Sequence, residues 1–361
     1  MKAVILIGGF GTRLRPLSCT RPKAVFPILN KPLLQWTFER LVKNGINEAI
    51  LAVNKQTEFY IKEQKIPKKG LKIKYSRDPP KMPLGTAGPI KKAENLINKD
   101  EPFIALNGDI FADINYKEII KKHKENQSIA TIALYEVEDP SRYGVAKITS
   151  NNRIESFIEK PSPGTAPTNL INAGAYVLSP KIFDYIPENK TFSMERDVFP
   201  KLAKEKMLFG YPVKGFWMDI GKPEEFLLAN KRLLDIFSDH KKIERKFIII
   251  KPVELERGIT SGMNSVIGPY TVLGRNVSIG NNVLIKNSVV FSDAIIEDNS
   301  IIDNSIIGEG AKIGKEVTCK ECILADQAKI KDKIIVPEKL SVCPGKEISE
   351  ETLKLKSKII C

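Results

Sequence analysis

Glycines and basic side chains follow the first apolar run of the sequence, residues 2–7. The stretch 8–13 reads Gly-Gly-Phe-Gly-Thr-Arg, and a lysine stands further along at Lys23. Glycines let backbone N–H groups approach an anion closely, and a turn of this kind can form an anion-binding nest. Arg13 and Lys23 can neutralise the charge of a polyphosphate. The pattern therefore indicates a site for a phosphorylated ligand.

Two better-known glycine loops do not fit this stretch. A Walker A loop requires Gly-x-x-x-x-Gly-Lys-Ser/Thr, which the sequence does not contain. A dinucleotide-binding fingerprint requires a third glycine where Leu14 stands and an acidic residue about twenty residues later. The sequence meets neither requirement convincingly. Gly-x-Gly alone could be a plain turn. The whole stretch is a far more specific signal for phosphate binding, because it also contains Arg13, the Arg-Pro at 15–16 and the Arg-Pro-Lys at 21–23.

Two aspartates each follow an apolar, strand-like run. Asp109 comes after residues 103–106, and Asp219 comes after residues 216–218. At strand ends, two carboxylates can jointly hold Mg²⁺ against phosphate oxygens. Either aspartate alone would more often be a turn or cap residue. The pair is therefore a candidate metal site.

The composition describes a chain with enough apolar residues for packed cores. It has 361 residues, of which 42% are hydrophobic, so two domains are the expectation. No apolar stretch of about eighteen residues occurs and the start resembles no signal peptide, so we expect a cytoplasmic protein with no membrane partner. The net charge of +14 is spread along the chain without a nucleic-acid-binding motif. A lysine-rich surface explains most of it, and we expect no nucleic acid partner.

Residues 1–240 alternate short apolar runs with amphipathic stretches. This order is typical of an α/β domain, in which helices cover a mostly parallel sheet. In such sheets, ligands bind at the carboxyl ends of the strands. The predicted strands are 2–7, 48–53, 71–76, 102–106, 129–136 and 171–178, and the predicted helices are 32–44, 85–98 and 115–126.

Residues 241–361 begin with a charged connection and then place an aliphatic residue at every sixth position. This step is typical of a parallel β-helix of hexapeptide repeats, in which three hexads form one triangular coil. The remaining length fits about three to five coils. The residues predicted to point inward are Ile267, Leu273, Ile279, Ile285 and Phe291 and, after a slip in phase, Ile295, Ile301, Ile307, Ile313 and Cys319.

The five cysteines lack the spacing of a disulfide framework, which indicates a reducing compartment. Cys319 and Cys322 have the two-residue gap of a zinc or redox pair. No second pair and no pair of histidines follows, and Cys319 stands at an inward position of the repeat. We therefore expect the pair to pack in the core rather than to bind a metal.

The motifs of the first half occur together in the order found in one enzyme family. Residues 1–34 resemble the opening signature of the sugar-1-phosphate nucleotidylyltransferases, and most closely that of their mannose-1-phosphate guanylyltransferase branch. The resemblance extends over almost the full chain and includes the hexapeptide repeats. The other motifs that carry it are 83–89 (Pro-Leu-Gly-Thr-Ala-Gly-Pro), 107–109 (Asn-Gly-Asp), 143–145 (Tyr-Gly-Val), 159–161 (Glu-Lys-Pro), 172–176 (Asn-Ala-Gly-Ala-Tyr) and 215–221 (Gly-Phe-Trp-Met-Asp-Ile-Gly).

The resemblance implies a fold, a reaction and a cofactor. The fold is a Rossmann-like α/β nucleotidyltransferase domain at 1–240, followed at 241–361 by a linker and a left-handed parallel β-helix. In the reaction, an oxygen of a sugar-1-phosphate attacks the α-phosphorus of a nucleoside triphosphate, and pyrophosphate leaves. Charge neutralisation and in-line positioning then provide most of the catalysis, with Mg²⁺ as the cofactor. The substrates implied are GTP and mannose-1-phosphate.

The resemblance also assigns roles to the residues that match the family's motifs. The implied catalytic residues are Arg13, Lys23, Asp109 and Asp219, and the two aspartates bind the metal. The implied nucleotide ligands are Gly8, Gly9, Gly11, Thr12, Arg13, Lys23, Gly85, Thr86, Gly88 and Asp109. The implied sugar phosphate ligands are Gly144, Glu159, Lys160, Asn172 and Gly174.

Three other functions stay open at this point. Hexapeptide β-helices often bind acyl-coenzyme A, but acyl transfer usually uses a histidine base on a coil, and both His123 and His240 lie outside the repeats. A non-catalytic regulatory paralogue would lack a metal carboxylate or the loop arginine, and here all are present. The sequence does not exclude thymidylyl, uridylyl or adenylyl transfer to glucose-1-phosphate.

The repeats also predict self-association. The exposed edges of β-helix coils can stack between subunits, so we expect a homo-oligomer that assembles through the β-helix domain. The sequence does not distinguish a dimer from a tetramer.

Overall fold

The contacts of the chain define two compact units, neither of which is continuous in sequence. The first unit comprises Met1–Gly9 and Leu33–Asp219, and the second comprises Phe10–Pro32 and Ile220–Cys361. The domain boundary predicted at residue 240 lies outside the described residues. The computed structural model describes residues 1–9, 11–79, 83–237, 247–353 and 358–361.

The first unit is built on a mixed nine-stranded sheet with a parallel centre. The central strands, in spatial order, are Phe103–Asn107, Lys2–Leu6, Glu48–Val53 and Lys72–Arg77. The other five are Ala130–Glu136, Gly144–Ile148, Ile154–Glu159, Leu170–Leu178 and Leu208–Pro212. A separate antiparallel pair joins Ile110–Ala112 to Trp217–Asp219.

Apolar runs determine where these strands form. Val4, Ile50 and Ala105 are fully buried in the centre of the sheet, as expected for parallel strands that are covered on both faces. All six predicted strands are present, with ends shifted by about one residue. The strands that the prediction left out are short or lie away from the parallel centre.

The helices of the first unit are Leu33–Lys43, Lys55–Glu63, Gly88–Lys92, Tyr116–Glu125 and Phe199–Lys204. Asn54 and Asn115 cap two of them, because each side-chain oxygen accepts a hydrogen bond from a first-turn N–H. The prediction of one helix over 85–98 is too long. The α-helix ends at Lys92, and a 3-10 turn, Glu94–Leu96, follows it.

The second unit contains the β-helix as three parallel sheets, which confirms the predicted architecture. The first sheet contains Ile248–Ile249, Val266–Ile267, Leu284–Lys286, Ile301–Asp303 and Thr318–Lys320. The second contains Val253–Leu255, Thr271–Leu273, Val289–Val290, Ile306–Ile307, Ile323–Leu324, Ser341–Val342 and Ile359–Ile360. The third contains Thr260–Ser261, Ser278–Ile279, Ile295–Ile296, Lys312–Ile313, Lys329–Ile330 and Glu347–Ile348. The described strands therefore form more coils than the sequence predicted.

The inward positions of the β-helix differ in part from the prediction. Ile296 and Ile302 are buried in the core, whereas their predicted neighbours Ile295 and Ile301 are only half-buried. Corresponding positions in successive coils are 18 residues apart at first, 17 residues apart in the middle of the β-helix and 18 residues apart again in the last coils. A coil of 17 residues shortens one hexad by a residue, and paired isoleucines hide that shift in the sequence.

Four cysteines lie on the β-helix of the second unit, two as free thiols and two in a disulfide. Cys319 and Cys322 are fully buried with free thiols, so the predicted packing role is confirmed. Cys343 and Cys361 form a disulfide, with their Cα atoms 4.8 Å apart, which the reducing-compartment interpretation did not predict. The disulfide arises because Ile359–Ile360 pairs in register with Ser341–Val342 and brings the two cysteines side by side.

The second unit also contains the helix Pro223–Phe237, the two-stranded pair Pro27–Ile28 and Lys31–Pro32, and the last helix, Glu350–Leu353. Among the residues that the structure describes, no helix has the length and hydropathy needed to cross a membrane.

Candidate active site

The carboxyl ends of the parallel strands meet at one edge of the sheet in the first unit. The backbone N–H of Gly108 donates to the carbonyl of Leu6 at 2.9 Å, so two neighbouring strands end side by side. The Nδ2 of Asn54, after a third strand, is 3.3 Å from the carbonyl oxygen of Gly8. Gly9 follows Gly8 at this edge. The glycines at 8 and 9 therefore lie where α/β folds bind their ligands.

A carboxylate that the sequence analysis did not identify lies at the same edge. Asp78 follows the strand Lys72–Arg77, and its Oδ2 would be 2.8 Å from a Cβ placed on Gly8, so a side chain at position 8 would collide with it. Its Oδ1 is buried and has no hydrogen-bond partner among the described residues. Burial raises the pKa of Asp78 to about 6, although Lys92 opposes the shift. A buried carboxyl oxygen without a partner, at an edge that binds ligands, marks a functional candidate.

The two predicted metal ligands stand at the end of the small antiparallel pair of strands. Asp219 lies opposite Ile110, the residue that follows Asp109. Both aspartates are half-exposed, so their carboxylates can meet a ligand. Carboxylate oxygens are hard donors of the kind that Mg²⁺ prefers. The described residues contain no group of three or more metal-ligating side chains, so substrate oxygens or water would have to complete such a site.

Aromatic packing holds this pair of strands in place. Phe111 is fully buried and stacks on Phe216, with ring centroids 5.1 Å apart. The guanidinium of Arg40 lies 4.1 Å from the centroid of the Phe111 ring. The indole N–H of Trp217 donates to the carbonyl of Ala173 at 3.1 Å. The strand that follows Asp109 and the strand that ends at Asp219 are therefore held by ring packing and a hydrogen bond.

The segment 84–88, which we call the base loop, has a backbone that requires glycine. Gly85 has a φ of +71°, and a Cβ there would be 2.3 Å from the carbonyl oxygen of Phe192. The hydroxyl of Thr86 donates to Glu195 at 2.5 Å, so this side chain is engaged within the protein. Gly88 is buried against Leu84, since a Cβ placed on Gly88 would be 2.6 Å from the Leu84 Cβ. Gly85 is exposed, whereas Thr86 and Gly88 shape the loop from within.

The predicted sugar phosphate ligands Gly144 and Glu159 lie on one antiparallel pair of strands, and Lys160 directly follows Glu159. Gly144 pairs with Glu159, and a Cβ on Gly144 would be 2.4 Å from the ring of Phe157 and 2.9 Å from Glu159 Oε2. Burial raises the pKa of Glu159, and the nearby charge of Glu195 adds to the rise. Lys160 Nζ lies 3.8 Å from Glu159 Oε1 and is largely exposed. The two side chains offer one acceptor and one cation side by side.

Asn172 and Gly174 shape an irregular part of the strand Leu170–Leu178. Gly174 has a φ of +72°, and a Cβ there would be 2.2 Å from Ile110 Cδ1. Asn172 is buried, accepts from the Gly174 N–H at 2.9 Å and donates to the Tyr176 hydroxyl at 2.9 Å. The amide of Asn172 therefore holds the strand in this shape.

Glu195, which the sequence analysis missed, connects this strand to the base loop. It accepts hydrogen bonds from Thr86 at 2.5 Å, from Ser193 at 2.8 Å and from the Tyr176 hydroxyl at 3.3 Å. Glu195 is buried and lies in the π-helical turn Met194–Val198. Ser193 just before the turn was a helix-start signal, but it did not identify the partners of Glu195.

The second unit holds the rest of the glycine-rich stretch. Gly11 has a φ of +57°, and its carbonyl accepts from the Ser18 hydroxyl at 2.7 Å. Thr12 and Arg13 lie in an exposed 3-10 turn, whereas Lys23 is buried at the start of another, Lys23–Val25.

Arg13 lies beside Gly221, which belongs to the same unit. Its Cζ would be 3.3 Å from a Cβ placed on Gly221, and Glu225 Oε2 would be 3.0 Å from the same position. Glu225 Oε2 also accepts the Gly221 N–H at 2.9 Å. Gly221 thus leaves room for the guanidinium, and Glu225 is a further residue that sequence reasoning missed.

The two sets of predicted site residues belong to different compact units. The set in the first unit is Gly8, Gly9, Gly85, Thr86, Gly88, Asp109, Gly144, Glu159, Lys160, Asn172, Gly174 and Asp219. The set in the second unit is Gly11, Thr12, Arg13 and Lys23. A sheet with a parallel centre, covered by helices and with glycines and an aspartate at the ends of its strands, defines an α/β protein of the kind that binds ligands at that edge.

Comparisons with known proteins identify the family. Residues 2–236 match the model of the nucleotidyl transferase family, and residues 249–360 match that of the GMPPB C-terminal domain. The chain therefore belongs to the nucleotidyl transferase family, and it carries the C-terminal domain found in GMPPB.

Two of the similar proteins carry the name of a mannose-1-phosphate guanylyltransferase or guanyltransferase. Mannose-1-phosphate guanylyltransferase catalytic subunit beta of Xenopus tropicalis is 43% identical over 229 residues, which cover 63% of this chain and 63% of that protein. Mannose-1-phosphate guanyltransferase 2 of Candida glabrata is 38% identical over 274 residues, which cover 74% of this chain and 72% of that protein. Among solved structures, HddC from Yersinia pseudotuberculosis complexed with GMP-PN has a TM-score of 0.54 and 33% identity, and the match covers 64% of this chain and 99% of HddC.

Proposed function

We propose that this chain transfers a guanylyl group from GTP to mannose-1-phosphate, releases pyrophosphate and forms GDP-mannose. The relatives that carry this activity in their names support the substrate pair. The observation that carries the proposal is that the strand ending at Asp219 pairs with Ile110, the residue after Asp109, in a chain of the nucleotidyl transferase family.

The reaction is a phosphoryl-type displacement that needs no covalent intermediate. An oxygen of the sugar phosphate forms a bond to the α-phosphorus, and the bond to the bridging oxygen breaks, so pyrophosphate departs with the electron pair. Arg13 and Lys23 lower the repulsion between the two polyanions. When bound, Mg²⁺ would neutralise phosphate oxygens, and Asp109 and Asp219 would hold it.

Asp78 supports guanine as the base. The N1–H and the 2-amino group of guanine are adjacent donors, whereas the corresponding edge of adenine offers an acceptor. In the proposal, the carboxylate of Asp78 accepts from both guanine donors. Asp78 lies at the strand ends beside Gly8, a predicted nucleotide ligand, which suits that role.

Glu159 and Lys160 would act on the second substrate. A carboxylate accepts hydrogen bonds from sugar hydroxyls, and an ammonium beside it attracts the phosphate. Asn172 and Gly174 would contribute by shaping the strand rather than by direct contact, because both polar atoms of the Asn172 amide are bonded within the protein.

Pyrophosphate release across all pairs of nucleoside triphosphate and sugar-1-phosphate tests the proposal. We expect the highest kcat/KM for GTP with mannose-1-phosphate, and no release without a divalent cation. A clear preference for glucose-1-phosphate with another nucleotide would reject the guanylyl assignment and keep the reaction class. Failure to use any pair would favour the non-catalytic paralogue. Acetyl transfer from acetyl-coenzyme A is measured alongside, since it would indicate the acyltransferase alternative.

Self-association and location complete the proposal. On the first sheet of the β-helix, Ile248, Val266, Leu284 and Ile301 lie in register as a partly exposed aliphatic row. We propose that this row contacts a second copy of the chain and that the protein acts in the cytoplasm. Light scattering that shows only monomers at micromolar concentration would refute the homo-oligomer.

A further inference from the structure

Residues 11–32, which we call the signature segment, pack onto the β-helix within the second unit. Phe26, Phe226 and Phe291 form a cluster of three rings with centroids 5.9 to 6.4 Å apart. Phe291 belongs to a coil of the β-helix, and all three rings are buried. The amide of Asn30 adds a hydrogen bond of 2.8 Å to the carbonyl of Leu273 on the coil before. The β-helix is therefore the packing partner of the signature segment.

An ionic contact fixes the segment two residues before Lys23. The guanidinium of Arg21 donates to Asp326 Oδ2 at 2.6 Å and to Glu309 Oε2 at 2.9 Å. The Arg21 and Asp326 side chains are only 14% and 11% exposed, so water screens their attraction weakly. The hydroxyl of Thr20 donates to the same Oδ2 at 2.5 Å. Two consecutive residues of the signature segment are thus held by one carboxylate of the β-helix.

Aspartates in other coils make one of the two kinds of hydrogen bond that Asp326 makes, and comparing them with Asp326 separates the two. Asp298 Oδ1 accepts the backbone N–H of Asn281 at 2.7 Å, and Asp332 Oδ1 accepts that of Lys315 at 2.9 Å. Asp326 Oδ1 does the same for Glu309, at 2.8 Å. Each donor stands 17 residues before its aspartate. The Oδ1 bond therefore serves the coil, and the Oδ2 of Asp326 serves the signature segment.

We propose that Asp326, assisted by Glu309, is a positioning residue that holds the signature segment in the conformation that binds the triphosphate. The proposal rests on the proposed function, because it assigns the β-helix a part in nucleotide use. Pro22 fixes the backbone between Arg21 and Lys23, so anchoring Arg21 also places Lys23. A glycine-containing segment that is ordered before binding loses less entropy when the nucleotide arrives.

The test compares Asp326→Asn with the matched control Asp298→Asn in the full-length protein. Asparagine keeps an oxygen for the coil N–H, but in place of Oδ2 it presents an NH₂ group that cannot accept from Arg21 or Thr20. We expect Asp326→Asn to raise the KM for the nucleoside triphosphate about tenfold or more, with the KM for the sugar phosphate changed less than about twofold. Asp298→Asn should leave both KM values within about twofold of those of the unaltered protein.

A double-mutant cycle separates positioning from loss of fold. Arg21→Gln should reproduce the rise in the KM for the triphosphate, and Arg21→Gln with Asp326→Asn should add little to either change. Additive effects of the two substitutions would overturn the proposal. So would an Asp326→Asn protein with the same KM for the triphosphate as Asp298→Asn.

Hydrogen exchange gives a readout that does not need activity. In Asp326→Asn, the amides of residues 11–23 should exchange about tenfold faster than in Asp298→Asn, while those of the β-helix coils exchange at equal rates. If the unaltered protein uses no triphosphate, the proposed function fails, and this exchange difference still tests whether Asp326 orders the segment. Equal exchange of residues 11–23 in the two variants would reject the positioning role.

Discussion

Two aspartates in different regions of the molecule differ in the hydrogen bonds that their carboxyl oxygens make. Asp78, at the strand ends of the first unit, has a buried oxygen with no partner among the described residues. Asp326, on a coil of the second unit, uses one oxygen for a backbone N–H and the other for Thr20 and Arg21. A buried polar atom without a partner costs about 1–3 kcal/mol, so a fold keeps one mainly where a ligand can supply the missing bond.

The comparison of Asp78 with Asp326 distinguishes carboxylates at the ligand-binding edge of the sheet from carboxylates that are hydrogen-bonded within the protein. At the sheet edge, Asp78 has a carboxyl oxygen without a hydrogen-bond partner among the described residues, and Asp109 and Asp219 are half-exposed. On the coils, carboxylates such as Asp326 complete the protein's own hydrogen bonds. Substitutions at the edge should therefore change catalysis or specificity, and substitutions among satisfied groups should change stability or order.

The largest effect is expected from Asp219. Asp219→Asn keeps the shape of the side chain and removes the charge that would hold the metal, so kcat should fall about a thousandfold. Single-turnover pyrophosphate release at saturating Mg²⁺ measures this loss. Asp113→Asn is the matched control, since Asp113 is an exposed carboxylate next to the strand Ile110–Ala112, and its activity should stay within about twofold. An Asp219→Asn enzyme with full magnesium-dependent activity would remove Asp219 from the metal site.

The next effect is expected at His123, a buried residue whose two ring nitrogens are both hydrogen-bonded. It concerns the stability of the protein and not its activity. Burial lowers the pKa of His123 to about 4, with a smaller contribution from Lys124. Its ring nitrogens lie 3.0 Å from the Thr131 and Ser128 hydroxyls and 2.9 Å from that of Ser179. Between pH 6.5 and 4 the unfolded chain binds a proton at this residue that the native protein does not. The stability that neutral His123 contributes is therefore complete above pH 6.5 and is lost as the pH falls toward 4.

The His123→Gln variant isolates this contribution. Glutamine does not titrate, so the difference in unfolding free energy between the two proteins should shift by up to about 3 kcal/mol between pH 7 and pH 4. Urea unfolding at closely spaced pH values measures the shift. A constant difference across this range would show that His123 does not titrate on unfolding as described. The kcat at pH 7 should not change, because the ring nitrogens of His123 are bonded within the protein and His123 is not among the candidate site residues.

Local patterns in the sequence were enough to predict six of the nine strands of the large sheet and the repeat of the β-helix. Apolar runs such as 48–53 form strands at the expected places, and the six-residue step identifies the β-helix. The same patterns failed where two neighbouring residues are equally apolar. At Ile295–Ile296 only the packing of the core decides which side chain points inward, and Phe291 packs against Phe26 rather than in the β-helix core.

The sequence marks some candidate site residues with a motif and gives little or no signal for those that the fold brings together. Asp109 and Asp219 stand in motifs that the sequence displays, whereas the pairing of Asp219 with Ile110 arises only in the fold. The contact from Arg21 to Asp326 spans 305 residues, so no local spacing could indicate it. Asp78 had only its place after a predicted strand as a signal, and its unpaired oxygen depends on burial that the sequence does not show.

The smallest effect, and the sharpest test of the comparison, is expected at Asp78. Asp78→Asn should lower kcat/KM for GTP about tenfold, because an amide cannot accept hydrogen bonds from both guanine donors. Inosine triphosphate, which lacks the 2-amino group, provides the control. The unaltered enzyme should prefer GTP to inosine triphosphate, and the variant should lose that preference. Equal discrimination by both enzymes would show that Asp78 does not contact the base.

The same substitution should raise stability. The native pKa of Asp78 is raised to about 6 from an ordinary value of 3.8, so the native protein binds a proton that the unfolded chain does not between these values. Stability therefore increases as the pH falls through 6, and above pH 6 the ionised carboxylate opposes folding. Asp78→Asn should unfold at a higher temperature than the unaltered protein at pH 8, with the gain shrinking toward pH 4. A lower Tm at pH 8 would show that Asp78 is satisfied like Asp326, and the distinction between the two regions would fail.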